Sequence, residues 1–204
     1  MILFACDLDG TLIHSYKTRR ADDVCIEHYD GREQSFIARN ALERLKNLAA
    51  QIQFVPVTTR SLEQYRRIFW THDFAPQFAV VANGAIFLDG NRIIHREDLS
   101  AYAPELNRLQ KIFAHNPDFQ ICRIVDESFL FLRPRDELNP ANFNFDTDLT
   151  VQRTGKKIYL FPPSLTKGNA LRRLIEIFRP DKVIAAGDSE IDLPMLEVAA
   201  LFAE

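Results

Sequence analysis

The chain has 204 residues, enough for one large domain or two small ones, and its 47% apolar share is that of an ordinary globular protein. With 25 Lys plus Arg against 28 Asp plus Glu, a formal charge of −3, it is not expected to use nucleic acid or an anionic membrane surface as a partner. No run of about 18 apolar residues is present to span a membrane. Met1 leads directly into an apolar run with no basic signal region, and Cys6, Cys25 and Cys122 are far apart with no Cys-x-x-Cys; both features predict a cytoplasmic protein with reduced thiols.

The first stretch, Ile2 to Cys6, is short, unbroken and apolar, as expected of a strand buried on both faces of a parallel sheet. It stops at Asp7-Leu8-Asp9-Gly10. Carboxylates cannot stay buried unpaired, so the two acids belong where the strand leaves the sheet, at the carboxyl end where open α/β sheets bind ligands. Like charges so close call for a cation between them. By itself an Asp-x-Asp reads equally well as a plain turn. Cys6 is expected to be a small core residue.

Runs of strand character on either side of Asp30-Gly31 predict a β-hairpin flap over the end of the first strand. Lys17, Arg19 and Arg20 at its base read as a solvated loop or, less simply, as a contact to an anionic substrate. Ala38, Ala41, Leu42, Leu45, Leu48 and Ala49 recur at helical spacing, which predicts a helix over 38–50. Ile52 to Val57 is the second strand, with Pro56 near its end. Thr58-Thr59-Arg60 turns, and the capping-box pattern Ser61-Leu62-Glu63-Gln64 predicts a helix from about residue 62 to Thr71. Phe78–Ala82 is a third buried strand, closed by Asn83-Gly84. Three strands alternating with two helices predict a parallel sheet with right-handed crossovers.

The pattern changes at Ala85. A hairpin about Asp89-Gly90, a helix with Pro104 in its first turn, and strand pairs about Asp126-Glu127 and Thr154-Gly155-Lys156 follow one another. This predicts a small α+β insert over 85–161, largely antiparallel. Pro162-Pro163 marks the return. Lys167-Gly168 opens a helix, Val183–Ala186 is a strand, and it runs into Gly187-Asp188-Ser189-Glu190-Ile191-Asp192; Leu201-Phe202-Ala203 reads as the start of a last strand.

Asp7, Asp9, Thr58, Lys167, Asp188 and Asp192 are thereby predicted to share one sheet edge. Acids gather a hard cation such as Mg²⁺, a lysine and a hydroxyl can hold phosphate oxygens, and an aspartate beside a polarised phosphorus can act as nucleophile. A second acid two residues on can move the protons.

These features resemble the haloacid dehalogenase superfamily of aspartate-nucleophile phosphohydrolases. Asp7-Leu8-Asp9-Gly10-Thr11-Leu12 is similar to the first motif and Val57-Thr58-Thr59-Arg60 to the second; Lys167-Gly168 and Gly187-Asp188-Ser189-Glu190-Ile191-Asp192 are similar to the third and fourth. The resemblance implies a Rossmann-like catalytic core (1–84 and 162–204) and an α+β cap (85–161). It implies Asp7 as nucleophile and metal ligand, and Asp9 as general acid/base with its carbonyl on Mg²⁺. It also implies Thr58 and Lys167 as phosphate-binding groups, Asp188 as a metal ligand, Asp192 in support of the metal, and Asn83 where the substrate comes in. Thr59 replaces the usual glycine of the second motif, and Asp9 argues against a dehalogenase, since family members that cleave carbon–halogen bonds lack this acid. The cap position resembles that of sugar-phosphate, sucrose-phosphate and mannosyl-3-phosphoglycerate phosphatases, although one cap helix is expected to be degenerate between Pro134 and Asn144. A short stretch after the fourth motif predicts an uncovered sheet edge open to dimerisation.

The expected substrate is a small phosphorylated metabolite, a sugar or polyol phosphate. A phosphomutase on a sugar phosphate and a non-catalytic binding protein on the same scaffold remain open. Arg123, Arg133, Arg153, Lys156 and Lys157 of the insert read as solvated positions or as contacts to a second anionic group.

Overall fold

The computed structural model describes residues 1–136 and 145–202; the degenerate helix expected between Pro134 and Asn144 falls largely outside them. β1 (Ile2–Cys6) is followed by β2 (Ile13–Ser15), β3 (Val24–Tyr29) and β4 (Arg32–Ile37). The last three form an antiparallel flap in the order β2-β4-β3. The flap turns at Asp30 and Gly31, both left-handed at φ 51° and 71°, the conformation a two-residue type I′ hairpin requires. α1 (Arg39–Leu48) buries Leu42 and Leu45. β5 (Ile52–Pro56) then runs parallel to β1, with Ile2 opposite Ile52 and Cys6 opposite Pro56. Pro56 closes the paired run with β1, and the amides on its far side carry the backbone bonds on, Val57 N to Cys6 O at 2.8 Å and Thr58 N to Val80 O at 2.9 Å.

α2 (Leu62–Arg66) opens with the expected capping box, in which Ser61 Oγ accepts from Gln64 N and Gln64 Oε1 accepts from Ser61 N. It has five residues rather than reaching Thr71. The chain turns at Trp70, φ 48°, so that Trp70 meets Phe54 and Phe74 edge-on at ring distances of 6.4 and 6.0 Å. Burial of these rings against β5 outweighs local helix propensity.

β6 (Phe78–Val81), β7 (Ile86–Asp89) and β8 (Arg92–Arg96) form an antiparallel run. β6 joins β5 in parallel through the Val57–Val80 bridge and the bond from Thr58 N to Val80 O, 2.9 Å. The hairpin β7–β8, read from sequence as the start of the insert, is therefore hydrogen-bonded into the same layer as β1. A separate layer follows: α3 (Ala103–Ala114), then β9 (Phe119–Val125), β10 (Phe129–Pro134), β11 (Thr150–Thr154) and β12 (Lys157–Phe161), antiparallel in the order β11-β12-β10-β9. Strand alternation sorts its residues. Leu130, Leu132, Ile158 and Leu160 are buried with Leu106, Leu109 and Phe113 of α3.

α4 (Lys167–Phe178) leads to β13 (Lys182–Ala186), which pairs in parallel with the other side of β1, and to α5 (Leu193–Phe202). Leu3 and Ala5 pack with Leu171 and Leu174 of α4 and Met195 and Val198 of α5. Cys6 and Phe54 join Leu42, Leu45 and the flap on the opposite face. A sheet covered on both faces explains why β1 carries no polar residue: each large apolar side chain buried there stabilises by roughly 1.5–3 kcal/mol. The strand expected to begin at Leu201 is not formed; Leu201 and Phe202 are the last turn of α5, which packs by Met195, Val198 and Ala199 rather than by strand alternation. No helix among the described residues is long and apolar enough to cross a membrane.

Candidate active site

The site forms where β1 ends. Asp7 N still donates to Ala186 O at 2.9 Å, one step past the β1–β13 ladder. The chain then coils: the amides of Thr11, Leu12 and Ile13 all donate to the Leu8 carbonyl, at 3.2, 3.0 and 2.8 Å. Gly10 makes this possible twice over. Its φ is 95°, and a Cβ there would lie 2.3 Å from Asp188 Oδ2. Thr11 Oγ1 donates to Asp188 Oδ1 at 3.0 Å, tying the first motif to the fourth.

Lys167 is the first residue of α4, which is capped by Thr166. A Cβ on Gly168 would lie 2.6 Å from Pro194 O, so the helix starts pressed against α5 and Lys167 points inward. It is 1% exposed. Its Nζ donates to Asp7 Oδ1 and Asp192 Oδ1, both at 2.5 Å. Asp192 Oδ2 accepts from Ser189 Oγ (2.8 Å), Ser189 N (3.0 Å) and Asp188 N (3.2 Å). Burial pushes the Asp7 carboxyl up to about 6, against the pull of Lys167. Burial also works against the charged form of Asp192, but Lys167 and the Ser189 donors outweigh it and hold that carboxyl below its usual range. Thr58 is fully buried at the end of β5; its Oγ1 accepts from Arg60 N at 3.1 Å, leaving its own hydroxyl hydrogen to donate.

Asp9 belongs to a second network, absent from the sequence reading. Arg60 grips its carboxylate with two bonds, Nε to Oδ2 at 2.7 Å and Nη2 to Oδ1 at 2.8 Å. Arg60 Nη1 donates to Glu27 Oε2 at 2.9 Å. Glu27 is 1% exposed and also accepts from Ser35 Oγ (2.5 Å) and Arg67 Nε (3.1 Å). Burial alone would raise the Asp9 carboxyl, but the Arg60 bonds and charge hold it below the usual carboxylate range. One signal for this network was present: Glu27 is the lone acid after Val24-Cys25-Ile26, in a strand that covers the core, and a buried acid needs a buried cation. Thr59, at the place of the expected glycine, lines the same cavity as Tyr159 of β12.

One expectation is corrected. Asn83, placed at the mouth of the site by resemblance, is 2% exposed. Its Nδ2 donates to Leu165 O at 3.1 Å, so it braces the loop before α4 and does not face incoming substrate. It is left-handed, φ 60°.

The donor set fits a hard divalent cation. Carboxylate oxygens of Asp7, Asp188 and Asp192 lie within 4.8 Å of one another, all oxygen donors, with the Lys167 ammonium bonded to Asp7 and Asp192. Both Asp192 oxygens are already engaged, which suits a supporting position better than a direct ligand.

A sequence model of the haloacid dehalogenase-like hydrolase family matches residues 4–146 and 111–202. The chain belongs to that family. It is 27% identical over 135 residues to a phosphoglycolate phosphatase of Methanothermobacter thermautotrophicus; the match spans 61% of this chain and 60% of that relative, so somewhat under two thirds of its length. In fold it is similar to the sucrose-phosphatase of Synechocystis (TM-score 0.64, 18% identity, 97% of this chain and 80% of that one). It is also similar to the C-terminal domain of trehalose-6-phosphate phosphatase from C. albicans (TM-score 0.64, 16% identity, 97% and 73%).

Proposed function

We propose that the chain is a Mg²⁺-dependent phosphatase acting on a small phosphorylated metabolite, a sugar or polyol phosphate, through an aspartyl phosphate on Asp7. The observation that carries this reading is the placement of a buried carboxylate, Asp7, 2.5 Å from Lys167, with a second acid two residues on and Thr58 at the next strand end. Phosphatase names among the relatives support it.

On this reading Asp7 attacks phosphorus, a P–O bond to Asp7 forms, and the ester P–O bond breaks. Asp9 gives its proton to the leaving alkoxide, then takes one from the water that attacks the phosphoryl group and frees Asp7. Lys167 and the Thr58 hydroxyl hold phosphoryl oxygens. Asp7, Asp188 and the Asp9 carbonyl would hold Mg²⁺, which when bound supplies charge neutralisation between phosphate and carboxylates. Asp9 takes up a proton only by loosening its bonds to Arg60, and Glu27 keeps Arg60 paired when that happens. The layer of α3 and β9–β12 serves as the cap, while β7–β8 stay with the core sheet.

Hydrolysis of p-nitrophenyl phosphate with Mg²⁺, and its fall by about 10³-fold or more in D7N, tests this reading. Oxygen from labelled water should enter the released phosphate, which a pure mutase would not allow. No turnover on a broad panel of phosphate esters would overturn it.

A further inference from the structure

A cavity of about 470 Å³ lies between the motif loops and the antiparallel layer, a volume suited to a small metabolite. Asp9, Thr59 and Arg60 line its core side; Arg123, Arg133 and Lys157 line the other. Strand alternation puts these three cations there. Phe131 of β10 pairs with Arg123 of β9 and with Tyr159 of β12, so the three side chains share a face. The opposite face, with Leu130, Leu132, Ile158 and Leu160, is buried on α3.

The charge balance of the cavity is uneven: five basic side chains against three acids. The acids are already paired, Asp9 and Glu27 with Arg60 and Glu63 with Arg67. Among the described residues no carboxylate forms an ion pair with Arg123, Arg133 or Lys157, and Arg123 rests 5.7 Å above the Phe131 ring. Arg133 follows Leu132 and Lys157 precedes its partner Ile158, so two cations stand at the same end of neighbouring strands. Like charges there are unfavourable without an anion between them.

We propose that Arg123, Arg133 and Lys157 form a second anion subsite, so that the substrate is a phosphate ester bearing a further carboxylate or phosphate rather than an uncharged sugar phosphate. The inference rests on the phosphatase reading and, among small phosphorylated metabolites, selects doubly anionic esters over simple sugar or polyol phosphates. A planar guanidinium pairs two-pronged with either anion, and the apolar floor of Phe129 and Phe131 would carry the short carbon chain between the two charged ends.

The test uses matched esters with the intact protein and Mg²⁺. One arm compares 2-phosphoglycolate with 2-hydroxyethyl phosphate, and 3-phosphoglycerate with glycerol 3-phosphate. The other compares fructose 1,6-bisphosphate with fructose 6-phosphate. The doubly anionic member of at least one arm should have a kcat/KM tenfold or more higher, and the arm that shows it names the anion. In R123Q and in K157Q, both at exposed positions, that ratio should fall toward 1 through KM rather than kcat. Equal rates within every pair, with hydrolysis intact, overturn the subsite alone. A preference that survives in both variants overturns the residue assignment. No hydrolysis of any ester overturns the phosphatase reading on which the subsite rests.

Discussion

The two acids of the first motif end in opposite surroundings, although one residue separates them. Asp7 is 6% exposed and lies in a closed cluster with Lys167 and Asp192, built by the starts of α4 and α5. The Asp9 side chain, 44% exposed, faces the cavity and is gripped by Arg60, which is itself held by Glu27 of the flap. Burial drives the Asp7 carboxyl up to about 6; Arg60 outweighs burial and holds Asp9 low. On the proposed reading, the attacking carboxylate is buried and held by Lys167, while the carboxylate that moves protons is open to the cavity and held by a partner that Glu27 also pairs. Pairs of acids whose environments push them apart are a recurrent solution to acid/base chemistry on one scaffold.

That contrast can be broken in graded steps. K167M removes the cation bonded between Asp7 and Asp192 and leaves two buried carboxylates near each other. It should cost about 3–5 kcal/mol of stability, read by urea unfolding, together with turnover. A cost below that of a flap variant would reverse the contrast and show that the Asp7 cluster is the more forgiving of the two. E27Q leaves Arg60 on Asp9 but strips the buried charge that holds Arg60 and Arg67. An expected loss of about 1–3 kcal/mol should be concentrated in β3 and β4, where amide hydrogen exchange should accelerate. Uniform acceleration across the chain would contradict a local role for Glu27.

The smallest effect is expected from an exposed pair, which sets the scale for the other two. Arg108 bonds and then the Thr147 hydroxyl hold Glu105 of α3 down to about 2. Its folded pKa is depressed, so its stabilisation is present above the unfolded value of about 4.3 and is lost as pH falls toward 2. E105Q should therefore flatten the stability profile between about pH 4 and 2, by no more than about 1 kcal/mol. An unchanged profile would show that the pair contributes nothing.

Much of the site was legible in the residues. Asp7, Thr58 and Asp188 each follow a short apolar run, and an unpairable carboxylate or a turn residue has nowhere to sit but the strand's end. Lys167-Gly168 was readable as a helix start after Pro162-Pro163 and by its similarity to the third motif; the reason for the glycine, Pro194 O 2.6 Å from where a Cβ would be, lies in the packing. Less legible were features set by contacts remote in sequence. The turn at Trp70 after α2 brings its ring onto Phe54, sixteen residues earlier, which local spacing does not show. β7 and β8 looked like part of the insert because a hairpin carries no mark of which sheet its edge will join. Asn83 was misplaced because its burial depends on Leu165, 82 residues later.

The sequence by itself determined the order of the elements, the sheet edge on which the acids gather, and the family, because short-range patterning and local turn chemistry set these. Only the tertiary structure decided how charges from distant segments pair. It gave Arg60 to Asp9 and Glu27, closed Lys167 between Asp7 and Asp192, and brought Arg123, Arg133 and Lys157 to one cavity whose acids are ion-paired with Arg60 and Arg67. Pairing of buried charge depends on distance and desolvation in three dimensions, and neither is written in the spacing of residues along the chain.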